Sequence, residues 1–183
     1  MALIWWILGV VLLIAIIFMY YYNRFQVLLN RIDNSLSQID VQLKRRADLI
    51  PNLIETVKGF VKHETSAIKA VTEARKALVS AKGVVDKVKA DNKLESALKT
   101  IFAIAEGYPD LKANTNFLEL QRELASTEDK VAYARQYYND SILTYNNLST
   151  TMPGAFFAKL YGKKEREYLK ITEAEKKPVN VKF

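Results

Sequence analysis

Side chains that commonly do chemistry are scarce and scattered in these 183 residues. The one histidine, His63, stands beside Glu64. No second ligand falls at helical spacing from it, so no metal site is expected. The absence of cysteine excludes lipobox lipid attachment, disulfides, thiolate catalysis and cysteine-held zinc. No glycine-rich phosphate loop, nucleophile elbow or isolated carboxylate pair is recognisable. The expectation is a non-enzymatic chain with no catalytic residues, metal or cofactor.

The remaining chemistry is pairing. Arg46 falls on the apolar seam of a long heptad run, where an unpaired guanidinium is costly, so it must meet a carboxylate or helix carbonyls from a neighbouring element. Glu123 and Glu128 are the candidate partners. The pair either fixes helix register inside one chain or joins the chain to a second subunit or partner. Tyr138 and Tyr145 stand seven residues apart, with Asn139 and Asn146 repeating beside them. Their rings are expected to pack inward and their amides to reach toward neighbouring helices, or to line a polar groove. The loop Tyr108-Pro109-Asp110 holds either a site or a turn capped by Asp110 or Asn114.

These residues hang on elements that the sequence outlines well. Residues 1–23 carry no charged side chain, and every Lys, Arg, Asp and Glu lies from Arg24 onward. At ~1.5 Å per residue such a helix matches the ~30 Å hydrocarbon core of a bilayer. Trp5 and Trp6 near one end, and Tyr20, Tyr21 and Tyr22 at the other, suit the two membrane interfaces. A cleaved signal peptide would want positive charge before the run and a small-x-small site after it, and neither is present. Arg24 and Arg31, then Lys44, Arg45 and Arg46, follow the span. The expected topology is a single-pass protein of the cell membrane, with N-terminus out and the following domain cytoplasmic.

From Phe25 the apolar positions step by four and three through Leu29, Ile32, Leu36, Ile39, Leu43, Ile50, Leu53, Val57 and Phe60, interrupted by Arg46. The register continues past Glu64 to Ala67, Val71, Ala74 and Leu78, the pattern of one long bundle helix. Pro51 lies off the seam, where a kink is expected; a true break capped by Asp48 is the alternative. Gly83 ends the run, a second helix covers Leu94 to Ala105, and a third runs from Asn116 to Leu148. A short aromatic helix with Phe156, Phe157, Leu160 and Tyr161 follows. The tail Pro178 to Phe183 alternates as an extended segment in which Val181 and Phe183 point the same way.

The stretch Gln42-Leu43-Lys44-Arg45-Arg46-Ala47-Asp48-Leu49-Ile50-Pro51-Asn52-Leu53 resembles the hallmark of the LemA family. Glu106-Gly107-Tyr108-Pro109-Asp110-Leu111-Lys112-Ala113-Asn114 with Phe117 matches its second block. Leu120-Gln121-Arg122-Glu123-Leu124, Thr127-Glu128, Ala134-Arg135 and the two Tyr-Asn pairs match the third. The resemblance spans nearly the whole chain and implies a membrane-anchored helical bundle. It brings no catalytic residues. One departure lies near the C-terminus, where Gly162 leads into a Lys/Glu run in place of the Gly/Pro-bearing stretch of relatives.

The expected fold is therefore all-α: a transmembrane anchor over 1–23, an antiparallel bundle of three long helices and a short C-terminal helix over 24–177, and a tail over 178–183. The net charge of +7 alternates with acidic residues along the helices and suits an anionic leaflet better than nucleic acid. The bilayer is one partner and a second copy of the chain another. Two functions contend: a self-associating scaffold organising membrane or envelope, and a membrane-tethered adaptor or sensor for an envelope protease or regulator. The adaptor would touch its partner through Phe156, Phe157, Leu160 and Tyr161 or through Val181 and Phe183. With three helices leaving, returning and leaving again, the Phe156 segment is expected far from the bilayer.

Overall fold

The computed structural model describes residues 1–61 and 64–169, and every element among them is an α-helix. The first, α1, runs from Ala2 to Phe60. Its opening residues form a helix whose side chains face outward throughout, as an apolar span in lipid requires. From Phe25 onward one stripe turns inward: Phe25, Leu28, Ile32, Ser35, Ile39, Leu43, Arg46, Ile50, Leu53 and Val57 are all buried. That stripe takes in Leu28 and Ser35 where the apolar pattern favoured Leu29 and Leu36. A serine reads as a break in an apolar seam, but this hydroxyl donates to the Arg31 carbonyl at 2.6 Å and lies 3.3 Å from the Ser141 hydroxyl, so it is satisfied indoors.

α1 passes through Pro51 without ending. Proline has no N–H to offer the carbonyl four residues back, that of Ala47. In its place Arg75 Nε, from the next helix, donates to the Ala47 oxygen at 2.8 Å. The defect in one helix is repaired by a cation from another.

The expected single helix through Leu78 is in fact two. After Phe60 the chain leaves helical geometry, with Glu64 at φ −93 and ψ 43, and α2 occupies Thr65–Ser80. The contact between Arg75 and Ala47 shows α2 folded back along α1. Both helices bury a stripe of the same period, Ala67, Val71, Ala74 and Leu78 in α2, so periodicity carried no trace of the reversal. Gly83, at φ 84, supplies the left-handed residue before α3, Val84–Ala105. α3 begins ten residues ahead of the expected Leu94, because the charged stretch 86–93 is helical and turns Val88 and Asp91 inward. A four-residue turn, α4 (Pro109–Lys112), has proline at its start. It precedes α5 (Thr115–Thr150) and α6 (Gly154–Leu160).

The chain forms two compact units. In the unit of Leu36–Gln136, α2 packs along α3. α3 runs antiparallel to α5, with Arg135 beside Asp91 and the Phe102 and Phe117 rings 6.0 Å apart edge to face. In the unit of Met1–Ser35 and the chain from Tyr137 onward, α5 descends along α1, pairing Ser141 with Ser35 and Tyr145 with Phe25. At the corner that follows, Gly154 lies so close to the Leu148 carbonyl that no side chain fits. α6 then folds onto α1, where Phe157 meets Phe18 and Tyr21. This corrects the expected topology: the unforeseen α1–α2 reversal makes α5 a returning helix, and the Phe156 segment sits against the end of the apolar span.

Replacing Arg75 with Met should cost about 1.5–3 kcal/mol in the Pro51 protein, the range for a bond to a charged donor. In a Pro51→Ala background the restored N–H serves Ala47, and the loss should shrink. Denaturant unfolding followed by helical circular dichroism checks this. Equal losses in the two backgrounds would refute the repair.

Candidate functional site

The most concentrated chemistry lies inside the Leu36–Gln136 unit, around Arg46. This side chain is 1% exposed, the largest among the fully buried, and arrives on the inward stripe of α1 between Leu43 and Ile50. α3 brings Asp91, also 1% exposed, one turn from Val88 and Leu94 on its own buried stripe. Arg46 Nη1 donates to Asp91 Oδ1 at 2.9 Å and Nη2 to Glu128 Oε2 at 3.1 Å. Arg135 Nη2 donates to Asp91 Oδ2 at 2.7 Å, and its Nη atoms reach Asn92 Oδ1 at 3.3 Å. Two cations and two anions from α1, α3 and α5 thus balance within hydrogen-bond distance.

Burial pushes the Asp91 carboxyl above the usual carboxylate range, and the two guanidiniums beside it pull it back. Glu128 is also raised, by burial first and then by the neighbouring Glu95 carboxylate, against the pull of Arg46. Geometrically the cluster is a lock: each charge is spent on another, and three helices must be in register for the bonds to form. Glu123, the other candidate partner of Arg46, lies 3.9 Å from Arg45 at the surface. Asp91 escaped sequence reasoning because it sits in a run of charges that reads as solvated. The available signal was its place on one stripe with Val88, Leu94, Leu98 and Ile101.

The Tyr-Asn repeats build a second arrangement, in the other unit. Asn146 Nδ2 donates to the Arg166 carbonyl and its Oδ1 accepts from the Arg166 N–H, both at 2.9 Å. Asn139 does the same to Leu169, at 3.1 and 2.9 Å. Seven helical residues span ~10.5 Å and three extended ones ~10 Å, so the two amides match one stretch of strand-like backbone. The groove is filled by the chain's own segment 163–169. Tyr138 and Tyr145 lie beneath it, their phenols pushed up by burial and drawn back by Arg166.

Trp5, Trp6, Tyr20 and Tyr22 project outward from the span, whereas Tyr21 stacks on Phe157 at 4.4 Å. Phe156 and Leu160 are exposed, and Phe157 is buried. In the second block, Tyr108 leads into α4, and Asn114 Oδ1 accepts from the Phe117 N–H at 3.0 Å, capping α5. His63, Val181 and Phe183 lie outside the described residues. Among the described residues no three of His, Asp and Glu converge as a metal site would need.

The class these features define is a membrane-associated helical protein, with one N-terminal helix long and apolar enough to cross a bilayer. The profile of the LemA family matches residues 35–183, and the chain belongs to that family. It is similar to magnetosome protein MamQ of Magnetospirillum gryphiswaldense, 25% identical over 184 residues that cover 86% of this chain and 68% of the relative. MamQ 2 of Paramagnetospirillum magneticum is 25% identical over 94% of this chain and 73% of its own length. Protein LemA of Metamycoplasma hominis is 27% identical over 77% and 66%.

Because Glu128 titrates above its ordinary 4.5 when folded, the native chain holds this proton more firmly than the unfolded one. Its contribution to stability is then fullest below 4.5 and is lost as pH rises through the raised value. Unfolding midpoints of the native protein, relative to Glu128→Gln, should fall over that window and then level off. A difference that rises with pH would contradict the assignment.

Proposed function

We propose that the protein is a non-enzymatic helical scaffold fixed to a membrane, associating with further copies of itself in the plane of the bilayer. The observation that supports this most directly is the junction between span and fold. Phe25 is fully buried two residues after Asn23, in the same helix as the apolar run, so no linker separates the anchor from the core it joins. A domain joined in this way is held at a set height above the membrane, which suits a structural part better than a tethered arm. The polar interior points the same way, since Arg46, Asp91, Arg135 and Glu128 bind one another.

The α1 seam is filled by helices of the same chain, so association must use other surfaces. The span offers an unpartnered apolar face with Gly9 at open backbone. The charges at Arg24 and Arg31 favour a cytoplasmic position for the folded part.

The chain has no cysteine, so single cysteines report contacts cleanly. With Val11→Cys in native membranes, oxidative crosslinking should give a homodimer adduct. With Ile39→Cys on the filled seam it should give none. Adducts with other proteins only, and none between copies, would overturn the scaffold reading in favour of the adaptor.

A further inference from the structure

The α6 helix has two faces, and only one is explained by the fold. Phe157 and Ala158 face inward, with Phe157 stacked on Tyr21 at 4.4 Å and edge-on to Phe18 at 5.1 Å. The Tyr161 hydroxyl donates to the Phe18 carbonyl at 2.8 Å. On the other side Phe156 is 56% and Leu160 53% exposed, four residues apart on one stripe, and Met152 stands exposed just before them. No described residue covers that stripe.

The position of Phe18 decides what does. It lies within the charge-free run, six residues before Arg24, which is ~9 Å of helix inside the point where charges begin. Interfacial helices bury their apolar face ~5–10 Å into the boundary between headgroups and acyl chains. A helix packed against Phe18, Tyr21 and Tyr22 therefore occupies that layer whenever the run crosses a bilayer. Exposed cations frame it: Arg24 on α1, Lys159 on α6 and Lys164 just beyond, where lipid phosphates lie.

We infer that α6 is a second membrane contact, an interfacial helix whose Phe156 and Leu160 insert among the lipids beside the span while Lys159 meets the phosphates. The inference rests on the membrane-crossing reading of residues 2–23. The occupant is the bilayer because the patch continues the lipid-facing surface of the span itself, from Tyr22 across to Leu160. The protein then grips its membrane with a helix end and a wedge, and the wedge occupies one leaflet only.

The test uses the full chain in vesicles of zwitterionic and anionic phospholipid with bromines on the acyl chains. The native Trp5 and Trp6 report insertion of the span. In a Trp5→Phe/Trp6→Phe background, Phe156→Trp or Leu160→Trp then reports on α6. Tyr168→Trp serves as the reference, on the strap that leads back from α6 toward Asn139. The expected result is loss of emission at 156 and 160 in brominated vesicles, a blue-shifted maximum and protection from iodide, with none of these at 168. Native tryptophans that are quenched, together with a residue-156 reporter that iodide quenches and bromine does not, would overturn the inference while leaving the span intact. Protection from both quenchers would mean a protein covers the patch, which also overturns it. Native tryptophans that escape bromine would remove the span and the inference together.

Discussion

A guanidinium buried to 1% exposure governs how the Leu36–Gln136 unit is put together. Left alone in an apolar interior, Arg46 would be strongly unfavourable, and its own helix has nothing to give it. The carboxylates must come from elsewhere, from α3 at Asp91 and from α5 at Glu128, and Asp91 then needs Arg135 to complete its second oxygen. Apolar packing alone would tolerate a slip of one helix past another; a set of charged bonds between 2.7 and 3.1 Å would not. In this reading the cluster contributes specificity of register more than net stability.

The same logic recurs at several other polar groups of the described interior. Pro51 strands the Ala47 carbonyl, and Arg75 reaches across to fill it. Ser35 and Ser141 face each other with their hydroxyls turned onto backbone carbonyls, those of Arg31 and Tyr137. Asn139 and Asn146 pair with the backbone of a strap that forms neither helix nor sheet. In each case a residue that weakens its own element is matched by one distant in sequence, which is how local defects become long-range constraints.

The helices were legible because their apolar stripes repeat at the helical period over many turns, and the charge-free opening marked a helix long and apolar enough to cross a bilayer. The seam break at Arg46 was visible for the same reason: one charge stands out against a regular apolar row. What periodicity could not show was direction. The stripe through Val57 continues in phase into Ala67 and Val71, so the reversal between α1 and α2 leaves no mark, and the pattern alone puts α6 at the wrong end of the first helix. Asp91 was hidden in the opposite way, as one charge among many in 86–93. The Tyr-Asn repeats pointed to inward rings with amides reaching toward neighbouring helices or lining a groove; the amides meet the non-helical backbone at Arg166 and Leu169, because a helix surface does not say which backbone will lie on it. The resemblance carried by the motif blocks extended to the family, and it named no site chemistry.

Arg46 is neutralised inside its own chain by Asp91. A double-mutant cycle on the full-length protein in detergent tests it most directly, using thermal unfolding of Arg46→Met, Asp91→Leu and the pair together. Each single change leaves a buried charge with one partner in place of two, Glu128 for Arg46 and Arg135 for Asp91, and should cost up to about 3–5 kcal/mol, while the double change should recover part of that loss, giving a measurable coupling. Losses that simply add would contradict the claim and show that the two side chains are satisfied independently.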